Sequence, residues 1–202
     1  MRTITALFDS YDHAASAVRA VRDAGISSAD VSIIANQAAT GPAPDAGAEE
    51  GAATGAGIGV VAGGGAGLAA GLGALAIPGI GPVVAGGWLL ATAVGALAGA
   101  AVGGAAGGLL GALANAGVPE EEAHVYAEGV RRGGTLVSVR ADDSRADSIA
   151  AILQHADGVD IDARKAGYIA EGWRGFDEDA PAYSEEQIRD YRSVYGSVPP
   201  IV

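Results

Sequence analysis

The pattern of hydrophobic and polar positions predicts the same three elements at both ends of the chain. Residues 3–8 and 30–35 are short apolar runs typical of buried strands, and apolar residues recur at helical spacing between them. Strands are predicted again at 135–140 and 159–163, on either side of an amphipathic helix. The order strand, helix, strand therefore occurs twice.

These two βαβ stretches predict an α+β fold. A pair of such halves forms a ferredoxin-like sandwich, which is split here between residues 1–36 and 133–165. Everything between the halves is an insertion between the second and third strands. An insertion at that point is sterically reasonable, because a loop at the end of the sheet normally joins these strands. Its first part, residues 37–50, contains Pro and Gly and is predicted to be a linker.

The insertion is dominated by an uncharged segment, since no Asp, Glu, Lys or Arg occurs between Glu50 and Glu120. Glycines recur at four-residue spacing, which places them on one helix face where a second backbone can approach closely. Residues 51–116 therefore predict a Gly-zipper helical hairpin, whose second arm starts near Gly87. The predicted helix-packing glycines are Gly51, Gly55, Gly59, Gly63, Gly67, Gly71, Gly95, Gly99, Gly103, Gly107 and Gly111, and the predicted turn consists of Pro78, Gly79, Gly81 and Pro82.

Flexible Gly/Ala-rich disorder is the alternative interpretation of this segment. Gly costs about 1 kcal/mol relative to Ala in an exposed helix, so neither arm is expected to be a stable helix alone in water. Two features favour the hairpin. The segment is rich in Val, Leu and Ile rather than in polar residues, and the glycine spacing is regular in both arms.

Residues 117–132 predict a helix that leads out of the hairpin. Pro119 and the acidic residues 120–122 suit a first turn, Arg131 and Arg132 suit a last turn, and two glycines follow.

The C-terminal residues 166–202 form an aromatic arm, within which Ser184 and Gln187 have the spacing of a capping box. Packing on its own domain, docking on a neighbouring subunit and disorder are the three alternatives for this arm. In the docking alternative the anchors are Trp173, Phe176, Ile188 and Tyr191, because buried aromatic residues dominate interface energies.

Composition narrows the possible partners. The formal net charge of −12 argues against binding to nucleic acid and against attraction to anionic lipid headgroups. The chain has no Cys, which excludes disulfides and thiolate zinc sites. The first residues lead straight into a strand-like run without the pattern of a signal peptide, so a cytosolic origin is expected.

Motifs for chemistry are weak. Residues 57–62 match a dinucleotide fingerprint formally, but they lack the preceding strand that the motif requires. His13, His124 and His155 lie singly on predicted helix surfaces. The chain has no phosphate-binding loop and no zincin motif. We therefore predict no enzyme activity, no catalytic residue, no cofactor and no metal site.

Three stretches together resemble the bacterial general stress proteins with a 17M-like domain. They are the opening strand–helix–strand at 3–35, the turn at 75–82 and the exit at 117–122. The resemblance covers residues 1–165 and leaves out the aromatic arm. It implies a stress-induced, membrane-associated bacterial protein without an assigned reaction.

Three functional readings remain open. Each predicted arm is about 40 Å long at 1.5 Å per residue, enough to cross about 30 Å of hydrocarbon. The flanks Glu49, Glu50 and residues 120–122 are acidic, however, where cytoplasmic loops normally carry Lys or Arg. The prediction is a non-enzymatic protein whose hairpin inserts in a membrane, drives homo-oligomerisation, or both. Its partners are then itself and, where the hairpin inserts, the lipid bilayer. The alternatives are a soluble self-assembling structural protein and a small-ligand-binding ferredoxin-like domain.

Overall fold

The computed structural model of the chain describes residues 1–37, 73–92 and 108–195, with the backbone alone at 73–75. A short 3-10 turn occupies Ser28–Asp30, and residues 88–92 are helical. The other elements are β1 (Arg2–Phe8), α1 (Tyr11–Asp23), β2 (Val31–Asn36), β3 (Gly73–Ile77), β4 (Gly81–Gly86), α2 (Gly108–Asn115), α3 (Glu120–Arg131), β5 (Thr135–Ala141), α4 (Asp143–His155), α5 (Ile161–Ala170) and α6 (Glu185–Tyr195).

The strands form one five-stranded antiparallel sheet in the order β1-β5-β2-β4-β3. β5 lies between β1 and β2, so that Val137 faces Ala6 on one side and Ile33 on the other. With helices packed on this sheet, the fold is α+β, as predicted.

Alternating side chains of the strands build a core on each face of the sheet, because successive residues of a strand point to opposite faces. On one face, Phe8 and Val137 pack with the buried apolar residues of α1 and α4. On the other face, Leu7 and Leu136 pack with α2 and α3. The sheet is therefore sandwiched between two pairs of helices.

The predicted helical hairpin is wrong at residues 73–86, which form the antiparallel strands β3 and β4. Of the predicted turn residues, Pro78 and Gly79 do lie in a turn, but this turn joins strands, and Gly81 and Pro82 already belong to β4. Val83 and Val84 are β-branched and favour an extended backbone, and β2 offers β4 a partner strand, with Ala35 paired to Val84. The predicted arms at residues 51–72 and 93–107 lie outside the described residues.

The turn between β3 and β4 depends on glycine. The N–H of Ile80 donates to the carbonyl of Ile77 at 3.1 Å, and Gly79 has a φ of 71°. A type II turn requires a positive φ at that position and accepts Pro before it, which explains Pro78. A Cβ added to Gly79 would lie 2.7 Å from the carbonyl oxygen of Asp177. The turn is thus held against the C-terminal segment of the same chain.

The strand predicted at 159–163 is also wrong. Val159 donates its N–H to the carbonyl of Leu7 at 2.8 Å, but the chain does not continue along β1. The carboxylate of Asp160 accepts the N–H of Ala163 at 3.0 Å, which caps α5 at its first turn. Helix capping therefore prevails over strand pairing one residue after the chain reaches the sheet edge.

Two local predictions are confirmed. The exit helix appears as α3, with acidic residues in its first turn and Arg131 in its last. The capping box at the start of α6 is complete, because the N–H of Ser184 donates to Gln187 Oε1 and the N–H of Gln187 donates to Ser184 Oγ. Among the helices of the described ranges, none has the length and apolar character needed to cross a bilayer.

Candidate functional site

A group of buried, mutually paired polar side chains lies where residues 168–191 pack against the end of α3. We call Glu128, Arg132, Tyr168, Glu171, Tyr183 and Tyr191 the Arg132 cluster. Glu128 is 1% exposed and Arg132 is 6% exposed, which is rare for charged residues. The two come from adjacent turns of one helix end, whereas the tyrosines and Glu171 come from the C-terminal segment.

Arg132 is paired with carboxylates on two sides. Its Nε donates to Glu128 Oε1 at 2.6 Å, and its second hydrogen bond goes from a terminal nitrogen to Glu171 Oε2. Arg131 donates to the other oxygen of Glu128 at 3.3 Å, so both oxygens of this buried carboxylate are occupied. Burial of ions is tolerated only with such complete pairing.

Aromatic rings enclose the guanidinium of Arg132. Its central carbon lies 4.3 Å from the ring centre of Tyr168, 5.2 Å from that of Tyr191 and 5.9 Å from that of Tyr183. The faces of aromatic rings attract cations, and the attraction grows when water is excluded. The three rings therefore add favourable contacts with the positive charge beyond those made by the two carboxylates.

A second arginine extends the network to the sheet. Arg164 of α5 donates to both carboxylate oxygens of Asp9 at 2.8 and 2.7 Å, and also to the hydroxyl of Tyr191 at 3.2 Å. The Tyr191 hydroxyl in turn donates to that of Tyr168 at 3.1 Å. The end of β1, α5 and α6 are thus joined by one chain of hydrogen bonds.

In this network, the pKa values of two of the tyrosines, Glu171 and Arg132 are all shifted further from neutral pH. Burial raises the pKa of both Tyr168 and Tyr191. Burial alone would raise the pKa of Glu171, but hydrogen bonds from Tyr195 and Arg132 outweigh it and hold the pKa below the ordinary value. Burial alone would lower the pKa of Arg132, and the hydrogen bonds to Glu128 and Glu171 reverse that effect and raise it. A general acid or base needs a pKa near neutral pH, so this arrangement suits a fixed ionic clamp.

The predicted zipper glycines fall mostly on residues that are not described. Gly51, Gly55, Gly59, Gly63, Gly67, Gly71, Gly95, Gly99, Gly103 and Gly107 lie outside the described residues. Gly111 lies in α2 and is buried. Gly87, where the second arm was expected to start, has a φ of 98° and joins β4 to the helical residues 88–92.

The predicted docking anchors are in contact with their own chain. Phe176 is 8% exposed and belongs to the core beneath α2 and α3, and Ile188 is 1% exposed. Trp173 packs edge-on against Tyr168 with ring centres 5.6 Å apart, and Tyr191 belongs to the Arg132 cluster. The described part of the arm therefore packs on its own domain, and the burial of Phe176 and Ile188 there leaves these two residues little surface for a neighbouring subunit. Docking of the arm through Trp173 and Tyr191, which are only partly buried, stays a prediction.

Sequence reasoning missed Glu128, Arg132 and Tyr168. The local sequence indicates for Arg132 only a cation suited to a helix C-terminus. Its spacing of four residues from Glu128 was the available signal, because side chains four apart on a helix are neighbours.

The histidines have local partners. His124 Nδ1 accepts the N–H of Phe176 at 3.1 Å, and His13 lies 3.5 Å from Asp157. Across the part of the chain that the structure describes, no group of three His, Asp or Glu side chains is arranged to hold a metal ion.

Comparison of the chain with protein-family models, with curated proteins and with solved structures finds no match.

Proposed function

We propose that the chain is a non-enzymatic protein that self-associates through the uncharged part of its insertion. The observation that carries this proposal is the absence of charge between Glu50 and Glu120 in a chain of net charge −12. Copies of an acidic protein repel one another over most of their surfaces. Contact is least costly where both partners are uncharged, and large apolar surfaces favour association.

The position of the β3–β4 turn favours self-association over a hairpin that spans a bilayer. A spanning hairpin needs its turn on the far side of about 30 Å of hydrocarbon from the folded domain. Here Val84 pairs with Ala35 of β2, and Phe176 packs beside the turn. The sheet instead holds residues 73–86, the middle of the uncharged segment.

The Arg132 cluster supports a structural role for the C-terminal segment. Its carboxylates are paired with the guanidinium of Arg132, and three tyrosine rings cover Arg132. In this proposal the cluster stabilises the domain that carries the associating segment.

At the level of fold, we propose a split ferredoxin-like unit made of β1, α1, β2, β5 and α4. The placement of β5 between β1 and β2, with α1 and α4 on one face, supports this assignment. In it, α5 replaces the fourth strand and the β3–β4 hairpin extends the sheet beyond β2. A relation to the 17M-like bacterial stress proteins, and a role under stress, belong to the same proposal.

Sedimentation of the full chain in detergent-free buffer tests the proposal. We expect a mass well above the monomer mass of 19.7 kDa, decreased by Gly99→Leu. The matched control is Ala101→Leu, which adds the same side chain two residues away, on the other side of a predicted helix. A monomer at every concentration would overturn self-association. If that monomer floats with uncharged lipid vesicles, membrane insertion is the function instead.

A further inference from the structure

β3 is the terminal strand of the sheet, and among the described strands it pairs with β4 alone. A terminal strand presents a row of backbone N–H and C=O groups to any strand that approaches it. Proteins usually protect such edges with charged side chains, proline or bulges. Residues 73–77 contain no charge and no proline, they pair in unbroken register with β4, and Ala76 is exposed.

The opposite edge of the sheet is protected. β1 carries Arg2 at its start, and Val159 donates its N–H to Leu7 near its end. α5 then starts immediately beyond that point. Within the described residues, the two edges therefore differ in the features that prevent strand addition, and β3 is the edge that presents unprotected backbone groups to a further strand.

We propose that a second copy of this chain adds its own β3 to this edge, antiparallel about a two-fold axis, so that the two sheets become continuous. This inference rests on the proposed self-association and names its surface. Antiparallel pairing of a strand with itself makes the same hydrogen bonds in both directions, which a two-fold dimer requires.

Charge selects both the occupant and the direction. Residues 73–77 carry no charge, so they offer no ion pair to a strongly charged partner. An uncharged strand, such as a second copy of β3, suits this edge better. The acidic residues 177–179 lie at the turn end of β3, where the backbone of Asp177 packs against Gly79. Antiparallel pairing sets the two acidic groups at opposite ends of the shared strand pair, about 17 Å apart for five residues. Parallel pairing would bring them side by side.

The test uses Ala76→Glu in the full chain, since two glutamates near the two-fold axis repel each other. We expect the mass by sedimentation to fall at least twofold, with an unchanged circular dichroism spectrum and a melting temperature close to that of the wild type. The matched control is Ala151→Glu on the exposed side of α4, which adds the same charge and should leave the mass unchanged.

A distance measurement tests the geometry independently of mass. The chain has no Cys, so Ala76→Cys carries a single nitroxide per copy. Antiparallel pairing over residues 73–77 predicts a distance between copies below about 20 Å. A nitroxide at Ala151→Cys should give a much longer distance.

Different results would overturn self-association and the pairing of β3 with a second β3. An associating wild-type chain whose mass is unaffected by Ala76→Glu, and whose Ala76 labels are far apart, would overturn the β3 pairing and leave self-association standing. Loss of mass with Ala76→Glu but not with Gly99→Leu would support the pairing and overturn the role of the glycine face. A monomeric wild-type chain would overturn both.

Discussion

Ile188 of α6 fills the space that a side chain at Gly133 would occupy. A Cβ built on Gly133 would overlap Cγ2 of Ile188, and the φ of Gly133 is 98°. Gly133 therefore serves twice, because it ends α3 with a backbone conformation that suits glycine and it leaves room for the side chain that anchors the C-terminal helix.

Replacing Gly133 should loosen that anchor. Gly133→Ala introduces strain of about 1–2 kcal/mol from the positive φ, and we expect a further 1–3 kcal/mol, roughly, from the overlap with Ile188. The free energy of unfolding measures the sum. Gly172→Ala is the control, since Gly172 has a φ of 90° with nothing within 4 Å of the added Cβ. Equal losses for both variants would contradict the packing of Ile188 on Gly133.

Arg132→Met should be among the most destabilising substitutions in the described part of the chain. It leaves Glu128, which is 1% exposed, without its closest ion-pair partner. Breaking a buried ion pair costs about 3–5 kcal/mol. Arg189→Met, on the exposed side of α6, should change the free energy of unfolding by less than about 0.5 kcal/mol. A loss below about 1 kcal/mol for Arg132→Met would show that the cluster does not hold the C-terminal segment.

Alkaline pH should unfold the chain and ionise Tyr126, Tyr168 and Tyr191 together. Burial raises the pKa of Tyr126, Tyr168 and Tyr191 in the folded chain. Their contribution to stability is therefore fully present below the ordinary tyrosine pKa of about 10, and it is lost as pH rises from there toward the folded-state values. Tyrosinate absorbance and circular dichroism, followed during titration, should change in one cooperative step.

The control for that titration is Tyr191→Phe, which removes one buried hydroxyl while retaining the ring. The step should then involve fewer protons and be less steep. If the whole tyrosinate absorbance develops gradually from about pH 10 while the fold persists, these three hydroxyls are accessible and the buried network is refuted.

Gly87→Ala should be costly for a reason unrelated to helix packing. The added Cβ would overlap the carbonyl oxygen of Val31 and lie 2.6 Å from Cα of Ser32. Gly117→Ala is the matched control, because its φ of 86° is similar and nothing lies within 4 Å. Thermal unfolding should separate the two variants by several degrees. The same melting temperature for both would argue that Gly87 does not approach β2.

Much of the fold was predictable where the signal is local. β1, α1, β2, α3, β5 and α4 have apolar periodicity and end signals that agree with their final structure. The same is true of the capping box formed by Ser184 and Gln187. Each of these signals lies within a few residues of the element that it specifies.

The errors arose where a distant partner decides the structure. Four-residue glycine spacing before and after this stretch fits two helical arms, but at residues 81–86 between them the available strand β2 makes an extended conformation more favourable. At Val159 the backbone bonds to β1, but the next residue, Asp160, caps a helix, so the predicted fourth strand does not form. In the Arg132 cluster, the sequence displays only the pair Glu128 and Arg132, which are four residues apart. The tyrosines lie up to 59 residues beyond Arg132, and no local pattern predicts that they meet it.

The placement of Val84 beside Ala35 is the most direct test of the claim that the middle of the uncharged segment belongs to the sheet. The two residues are register partners of β4 and β2. Nuclear Overhauser contacts between their backbone protons, in a selectively labelled chain, measure that placement. We predict strong contacts, together with extended chemical shifts for residues 81–86. Absence of the contacts, with helical shifts through residues 73–86, would contradict it and restore the helical hairpin.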